Sequence, residues 1–336
     1  MSAVHAESLF NDRSTIDNVQ LEQLFGLQRH ALEMIAAGQA AGDILDQLCR
    51  MSEALLPNSV ASIMLLDDTG TSLKVRAAPS IPASAIEALN GLTPGPDTGS
   101  CGNAVHRNEP VYVERIFDDP RWAGLLDVAK RFNLQACWSA PIRAARDVVV
   151  GSFALTSFEC RAPNPLHRRL LETGSYLAGL VLEREYHERR LHAASVAFDH
   201  MREAVMVTDA RHCIVQVNRA FELITGYSAQ EAIGKSPRIL NSGRQHAAFY
   251  REFYRTLQET GEWRGEIWNR RKKGDVYPQW LSVKAIRDAN GTLNSHVSVF
   301  ADISDTKRSE RELWHLAHHD ALSDLPNRLL LSARLE

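Results

Sequence analysis

Residues 262–303 read EWRGEIWNRRKKGDVYPQWLSVKAIRDANGTLNSHVSVFADI. Three runs in this stretch are rich in β-branched and aromatic residues, and the turn-forming segments KKGD and DANGT separate them. The pattern predicts three consecutive antiparallel strands. Two further strands, AVMVTD and CIVQVN, are predicted from Ala204 onward, followed by short helical segments that end near Glu259. We therefore expect a small antiparallel sheet with helices on one side.

The first half of the chain predicts a second unit of helices and strands. Apolar residues recur at helical spacing from Val19 to Ile35, and another helical stretch from Asp43 to Leu56 ends at Pro57. A further helix is expected from about Pro120 to Phe132. Strands are predicted at VASIMLLD, LKVRAA, PVYV, ACWSAPIRA and VVVGSFALTSF. Both units combine an antiparallel sheet with flanking helices, which is an α+β fold class.

A long helical segment from Leu166 to Met201 joins the two units. Its apolar residues follow a three-four alternation, which is typical of a helix seam and is interrupted at Thr173, Arg184 and His187. The pattern fits either a parallel dimeric helix or a single packed helix.

Composition excludes several classes of protein. The 336 residues include 38 basic and 41 acidic side chains, so a formal charge of −3 gives no global field that would attract nucleic acid or an anionic membrane. The longest apolar run, from Val148 to Phe158, is well short of the ~20 residues that span a bilayer, and the first residues do not form a secretory signal. The five cysteines contain no CxxC pair, which suits reduced thiols. We expect a cytoplasmic protein that binds neither nucleic acid nor membrane.

The segment NRAFELITGYSAQEAIGKSPRIL, with the strand region quoted above, resembles PAS sensor domains. Asn218 follows the second predicted strand, Gly226 follows the first helical segment, and the sequence Asp-Ile-Ser at 302–304 ends the last strand. The resemblance implies a PAS domain at residues 201–303 and an output linker helix at residues 304–319.

The segments GPDTGSCGNAVHRNEPVYVERIFDDPRW and WSAPIRAARDVVVGSFALTSF resemble GAF domains of bacterial sensor proteins. The resemblance implies a GAF domain at residues 19–185, with an N-terminal tail at residues 1–18 before it and a helical linker at residues 186–200 after it.

The C-terminal HHDALSDLPNR resembles the opening of GGDEF diguanylate cyclase domains, D-x-L-T-x-L-P-N-R, with Ser323 in place of threonine. The resemblance implies that residues 320–336 begin a GGDEF domain and that the protein continues beyond them, with an EAL domain as a further option. In that family the asparagine of this motif and an acidic residue nine positions later contact guanine. Asn327 and Glu336 hold those positions. The signature tetrad, metal-binding aspartates and catalytic acids of a cyclase are absent from this sequence, so we expect no catalytic residue and no enzymatic activity in this chain.

Candidate ligand-binding residues fall in both sensor domains. The segment EWRGEIWNRRKKGD resembles the matching part of redox-sensing PAS domains that hold FAD, which implies stacking and amide contacts to a flavin. The candidates are Asn218, Trp263, Trp268, Asn269 and Trp280. The alternative is that they form an ordinary core and strand surface. In the GAF domain, Ser100 is expected to cap a helix whose start, with Cys101, meets an anionic ligand; the alternative is a capped helix beside a flexible loop.

Other cofactors are alternatives to FAD. His246 precedes a helix where haem-binding PAS domains often place their axial ligand. Cys101 could carry a bilin or react with an oxidant, although it lacks the adjacent histidine that is frequent in bilin-binding GAF domains. The stretch SPRILNSGRQ contains no cysteine, which excludes the covalent flavin chemistry of LOV photosensors. His315, His318 and His319 have chelating spacing but few further ligands, so we expect a solvated helix without a metal site.

Together these features predict a sensory region that detects a small-molecule, redox or gas signal and controls a downstream diguanylate cyclase or phosphodiesterase. Two GGDEF active sites meet across a pair of subunits in that family, so the resemblance implies a parallel homodimer. The alternative function is a dimerisation and protein-interaction scaffold whose pockets hold no ligand.

Overall fold

A computed structural model of the protein describes residues 16–144, 147–319, 325 and 327. The chain divides between Arg190 and Leu191 into two compact units. The elements that begin in the first unit are α1 (Asn18–Ala36), α2 (Ala41–Leu55), β1 (Ser59–Leu66), β2 (Leu73–Ala77), α3 (Ala83–Leu89), α4 (Gly99–Arg107), β3 (Val111–Val113), α5 (Leu126–Arg131), β4 (Ala136–Ala144), β5 (Val148–Ser157) and α6 (Pro165–His200).

The first unit is built on an antiparallel sheet in the order β2-β1-β5-β4-β3. The largest apolar cluster contains residues of α1, α2 and α6 together with inward-facing strand residues, among them Trp138 and Phe153. Helix α6 approaches β5 so closely that a Cβ at Gly174 would lie 2.3 Å from the Phe153 ring. A side chain there would overpack the core, so only glycine allows this approach.

The second unit contains the remaining elements in a second antiparallel sheet, in the order β7-β6-β10-β9-β8. They are β6 (Ala204–Asp209), β7 (Ile214–Val217), α7 (Arg219–Thr225), α8 (Ala229–Ala232), α9 (Ala247–Thr260), β8 (Glu262–Arg270), β9 (Val276–Arg287), β10 (Leu293–Asp302) and α10 (Ser304–His318). The core joins these strands to α7, α8 and α9, and Phe221 packs edge to face against Phe300 at a ring distance of 6.0 Å.

The α+β fold class expected from the sequence is confirmed, with two antiparallel sheets and a long helix, α6, between them. One helix differs from the prediction. The stretch from Pro120 to Phe132 begins as a 3₁₀ turn at Pro120–Leu125, and only Leu126–Arg131 is α-helical. Gly124 lies within the turn, and glycine is a poor helix former because it loses the most backbone freedom.

Helix α6 changes character along its length. Its buried residues all lie between Leu166 and Val181, whereas every residue from Tyr186 to Ala197 is exposed, including Leu191 and Val196. The side chains in the first part of the predicted seam are therefore buried in the core of the first unit. Those in the second part are exposed in the described structure. Among the helices of the described residues, none has the length and apolar character needed to cross a bilayer.

Candidate functional site

The first unit contains a cavity of about 250 Å³, here called the α4 cavity. Its wall is mostly apolar and comes from the helical segments between β2 and β4 and from the facing side of the sheet. Both candidates of the first unit, Ser100 and Cys101, line it, as does Cys137 of β4. An apolar cavity with a few convergent polar groups is typical of a small-ligand site.

Ser100 does not cap helix α4 as the sequence predicted. The helix begins at Gly99, Thr98 occupies the N-cap position, and no side chain makes the cap hydrogen bond. The Ser100 hydroxyl instead donates to the Cys137 carbonyl at 3.0 Å and accepts from the Trp122 indole at 3.1 Å. Because this hydroxyl is fully buried, partners on neighbouring elements stabilise it better than a cap bond on its own helix could.

Two thiols, those of Cys101 and Cys137, lie close together in the wall of the α4 cavity. Cys101 Sγ lies 3.3 Å and Cys137 Sγ 3.8 Å from the same Ser139 hydroxyl, and the Thr156 hydroxyl donates to Cys137 Sγ at 3.4 Å. The neighbouring Cys101 thiol lowers the pKa of Cys137 to about 7 against the opposing effect of burial, with Thr156 adding to it. The same pairing, together with burial, raises the pKa of Cys101.

The second unit contains a cavity of about 130 Å³, here called the β9 cavity, between the sheet and α9. Its buried polar wall residues are Thr208, Asn269, Gln279, His296 and Ser298. Residues Ile267 and Gln279 are opposite each other in the β8–β9 pair, as are Asn269 and Tyr277. Because side chains alternate across a sheet, these residues share one face. Two amides thus stand side by side in the cavity wall.

One of these polar groups, on His296, lacks a partner in the described part of the chain. The Nδ1 atom of His296 is buried without a hydrogen bond. Burial, followed by the nearby His212 and Arg287, lowers the pKa of His296 and keeps its ring neutral at neutral pH. A buried polar atom without a partner is costly, so it points to a ligand or water in the cavity.

Of the five candidates in the second unit, Asn269 lines the β9 cavity and the other four do not. Asn218 is 1% exposed and caps helix α7. Trp268 and Trp280 each neighbour a cavity residue in sequence and therefore face the opposite side of the sheet, where Trp280 is 49% exposed.

Trp263 is on the cavity side of β8, but at the end where α9 covers the sheet. Its ring lies 4.8 Å from that of Phe253 and 5.8 Å from that of Phe249. This places Trp263 in the core between helix and strand.

The alternative cofactor residues lie elsewhere. His246 precedes α9 and does not line the β9 cavity. His318 stacks on Trp314, and His315 stacks on His319. In the part of the chain that the structure describes, no three histidine, cysteine or acidic side chains converge as a metal site would require.

Sequence reasoning missed Gln279 and His296. Gln279 follows Tyr277 by two residues and so shares its face, which is a signal readable from strand alternation alone. Its position next to Asn269, however, depends on the register of two strands.

A series of contacts connects the β9 cavity to the start of α10. Gln279 Oε1 accepts from the Tyr277 hydroxyl at 3.0 Å, and the Arg271 guanidinium lies 4.0 Å from the centre of the Tyr277 ring. Arg271 also pairs with Asp302, whose Oδ1 accepts from the backbone amide of Ser304 at 2.8 Å. We call Arg271, Asp302 and Ser304 the output joint.

Asp302 is held as a carboxylate in this joint. Partial burial acts to raise its pKa, but hydrogen bonds from Ser304 and from Arg271 outweigh burial and lower the pKa below the usual value of 3.8. Nearby, Lys307 of α10 pairs with Glu266 of β8 at 2.8 Å. The first turn of α10 is thus tied to the sheet by charged groups.

Comparison with known families agrees with this architecture. The GAF domain family model matches residues 40–182, and the PAS domain family model matches residues 202–305. The chain contains a GAF domain followed by a PAS domain, and both are sensory regulatory domains.

Individual relatives are sensors and regulators. The chain is 27% identical over 297 residues to the methyl sulfide methyltransferase-associated sensor of Methanosarcina acetivorans, covering 87% of this chain and 29% of that protein. It is 32% identical over 110 residues to the nitrogen fixation regulatory protein of Klebsiella oxytoca, covering 33% and 22%. The chain thus spans less than a third of the length of these relatives. A solved PAS domain from Colwellia psychrerythraea is 26% identical, covers 34% of this chain and 98% of its own, and has a TM-score of 0.33.

Proposed function

We propose that this chain is a sensory region in which a ligand in the β9 cavity changes the position or stability of helix α10. The contacts from Gln279 through Tyr277 to Arg271 and Asp302 carry this proposal, because they join the cavity wall to the first turn of the helix. A ligand can shift such an element only if it interacts differently with its two states. A ligand group that hydrogen bonds to Gln279 competes with the Tyr277 hydroxyl and supplies that difference.

The ligand class that we propose is a flavin or a similar heterocycle. The side-chain amides of Asn269 and Gln279 each offer a donor and an acceptor, which suits the alternating donors and acceptors of a pyrimidine-like ring edge. The apolar wall residues, among them Leu281 and Phe300, suit the faces of a flat ring. When bound, a flavin would supply redox sensitivity; the protein's contribution is to orient the ring and exclude water.

Replacing Asn269 or Gln279 by alanine is expected to lower FAD retention about tenfold, because each change removes a buried hydrogen bond worth roughly 1–3 kcal/mol. The measurement is the flavin absorbance that stays with the protein after incubation with FAD and gel filtration. Trp280→Ala is the matched control, since this side chain faces away from the cavity. Equal flavin content in all variants, or no uptake by the wild type, would refute a flavin site here.

The output that we propose is a diguanylate cyclase or phosphodiesterase under the control of α10. Support comes from the resemblance of HHDALSDLPNR to the opening of a GGDEF domain directly after α10. Within residues 320–336 the structure describes only Leu325 and Asn327. The Asn327 side chain donates to the Ala317 carbonyl at 2.7 Å, so it also fastens the end of α10. The other residues of this motif and Glu336 lie outside the described residues, and the chain itself is proposed to be non-catalytic.

Asn327→Ala, introduced at the natural gene, should bring cellular cyclic di-GMP to the level of a strain that lacks the gene, because it removes the proposed guanine contact and the α10 contact together. The purified chain alone should bind no GTP in calorimetry, since the metal-bridged carboxylates that hold a triphosphate are absent from it. The exposed Asn294→Ala serves as control. If deletion of the gene leaves cyclic di-GMP unchanged, control of a cyclase or phosphodiesterase is wrong.

We also propose that the chain forms a parallel homodimer through the uncovered part of α6. Leu191 and Ala194 continue the apolar seam at helical spacing, and both are exposed in the described structure. Light scattering at about 100 μM should give the dimer mass, and Leu191→Glu with Ala194→Glu should give the monomer mass; a dissociated wild type would contradict the proposal. If the dimer forms but both cavities take up no ligand, the scaffold function is favoured instead.

A further inference from the structure

The two thiols of the α4 cavity form a pair that the proposed function does not use. Cys101 is the third residue of α4, and Cys137 is the second residue of β4, the strand next to the edge strand β3. The hydrogen bond from Ser100 to the Cys137 carbonyl places the residue before Cys101 directly against Cys137. Both sulfurs reach the Ser139 hydroxyl. This arrangement brings together two side chains that are 36 positions apart in sequence, as counted from their residue numbers.

The surroundings of the pair favour chemistry on Cys137. The hydroxyls of Thr156 and Ser139 and the Cys101 thiol all contact or adjoin its sulfur, so a negative charge there is stabilised although the site is buried. A thiolate is the reactive form of cysteine. The Cys101 thiol lowers the pKa of Cys137 despite burial, so the Cys137 thiolate forms more readily than that of an ordinary buried cysteine.

Access to the pair comes through the α4 cavity. Cys101 and Cys137 both line it, and its volume of about 250 Å³ far exceeds what a molecule the size of water needs. A small oxidant can therefore reach Cys137, which is buried from bulk solvent, as well as the partly buried Cys101. The remaining cysteines lack this setting: Cys160 is exposed, Cys213 is partly buried in the second unit, and Cys49 is buried, with burial raising its pKa.

We propose that Cys137 and Cys101 are a peroxide-oxidised dithiol switch that closes to a disulfide between β4 and α4. The Cys137 thiolate attacks one oxygen of hydrogen peroxide; an S–O bond forms, the O–O bond breaks, and the other oxygen leaves as hydroxide. Cys101 then loses its proton and attacks the Cys137 sulfur, so that an S–S bond forms and the sulfenic oxygen leaves as water with that proton. In total, two thiols and one peroxide give one disulfide and two waters.

Closure of this disulfide would change the α4 cavity directly. The bond crosses the cavity wall and fixes the start of α4 to the sheet, so the volume available to a ligand decreases. The switch deepens the proposed sensory function, because it makes the GAF domain a redox sensor. The switch depends on the proposed sensory function only for its effect on a downstream domain. The oxidation itself can be measured on this chain alone.

The test is mass spectrometry of the purified full chain after treatment with hydrogen peroxide, alkylation of free thiols and trypsin digestion. Cleavage after arginine places Cys101 alone in residues 77–107 and Cys137 alone in residues 132–143. We expect these two peptides to be joined with the loss of two hydrogens, and to separate after reduction. If both peptides carry the alkyl label while Cys160 is oxidised, the switch does not exist.

Variants separate the roles of the two sulfurs. In Cys101→Ser the reaction should stop at the sulfenic acid, and dimedone should label Cys137. Thr156→Val, which keeps the side-chain shape but removes a hydroxyl donor to Cys137, should slow disulfide formation about three- to tenfold. Cys160→Ser is the matched control and should leave the rate unchanged. If dimedone labels Cys101 in the Cys137→Ser variant and does not label Cys137 in the Cys101→Ser variant, the assignment of Cys137 as the attacking sulfur is overturned.

Discussion

Replacement of Asn218 by alanine is expected to destabilise the PAS domain by roughly 3–5 kcal/mol. The Asn218 Oδ1 accepts from the amides of Val205 (2.9 Å) and Phe221 (3.0 Å), and its Nδ2 donates to the carbonyls of Phe198 (3.1 Å) and Glu203 (2.9 Å). The side chain is 1% exposed. Alanine would remove the cap of α7 and leave several buried backbone groups without partners, and water cannot reach them easily.

The measurement is amide hydrogen exchange by mass spectrometry, because the chain has two units and a single unfolding midpoint would mix them. Exchange in β6 and β10 should accelerate by more than a hundredfold, whereas β1 and β5 of the GAF domain should be unaffected. Asn218→Asp keeps both accepted bonds and should have a smaller effect, and the exposed Asn294→Ala should have none. If the Asn218→Ala variant exchanged its amides at the wild-type rate, the four hydrogen bonds of Asn218 would contribute little to the stability of the PAS domain.

Replacement of Arg271 by alanine is expected to loosen α10 and to cost roughly 1–3 kcal/mol at neutral pH. Arg271 pairs with Asp302, donates to the Ile224 carbonyl and covers the Tyr277 ring. Its loss leaves the Asp302 carboxylate half-buried without its cation. Amide exchange in the first turn of α10 should therefore rise, and the exposed Lys273→Ala should serve as a charge-matched control.

The loss of stability caused by Arg271→Ala should become smaller as the pH falls. The pKa of Asp302 is lower in the folded protein than its usual value of 3.8, so its contribution to stability is present above 3.8 and is lost as the pH falls through the folded-state pKa. The stability difference between wild type and Arg271→Ala should thus be constant near neutral pH and shrink below pH 3.8. A difference that grows on acidification would contradict the assigned charge of Asp302.

The positions of most elements could be read from local patterns. The turn segments KKGD and DANGT delimit β8, β9 and β10 as predicted, and Pro57 lies just beyond the end of α2. These signals depend on the backbone preferences of residues adjacent in sequence, so they can be recognised without knowledge of the packing. The GAF and PAS resemblances extended this information to the order of the two domains.

The cavity residues were harder to predict because each cavity is formed by segments distant in sequence. Strand alternation alone separates Trp268 from Asn269, its neighbour on β8. The β8–β9 register, in which Trp280 is opposite Glu266, then places Trp280 on the same face as Trp268. The sequence reasoning grouped them by chemical type instead. Ser100 was assigned to a helix cap from its neighbours, whereas its hydroxyl bonds across to β4 and Trp122.

The sequence by itself determined the α+β class, because periodicity and turn chemistry are local properties of the chain, and its family resemblances determined the order of the two sensor domains. Only the tertiary structure brought Gln279 beside Asn269, linked Tyr277 to Arg271 and Asp302, and placed Cys101 against Cys137. These contacts depend on strand register and on the depth at which a helix packs on a sheet. Both are set by the sum of many weak packing interactions over the whole core, and no short segment contains that information.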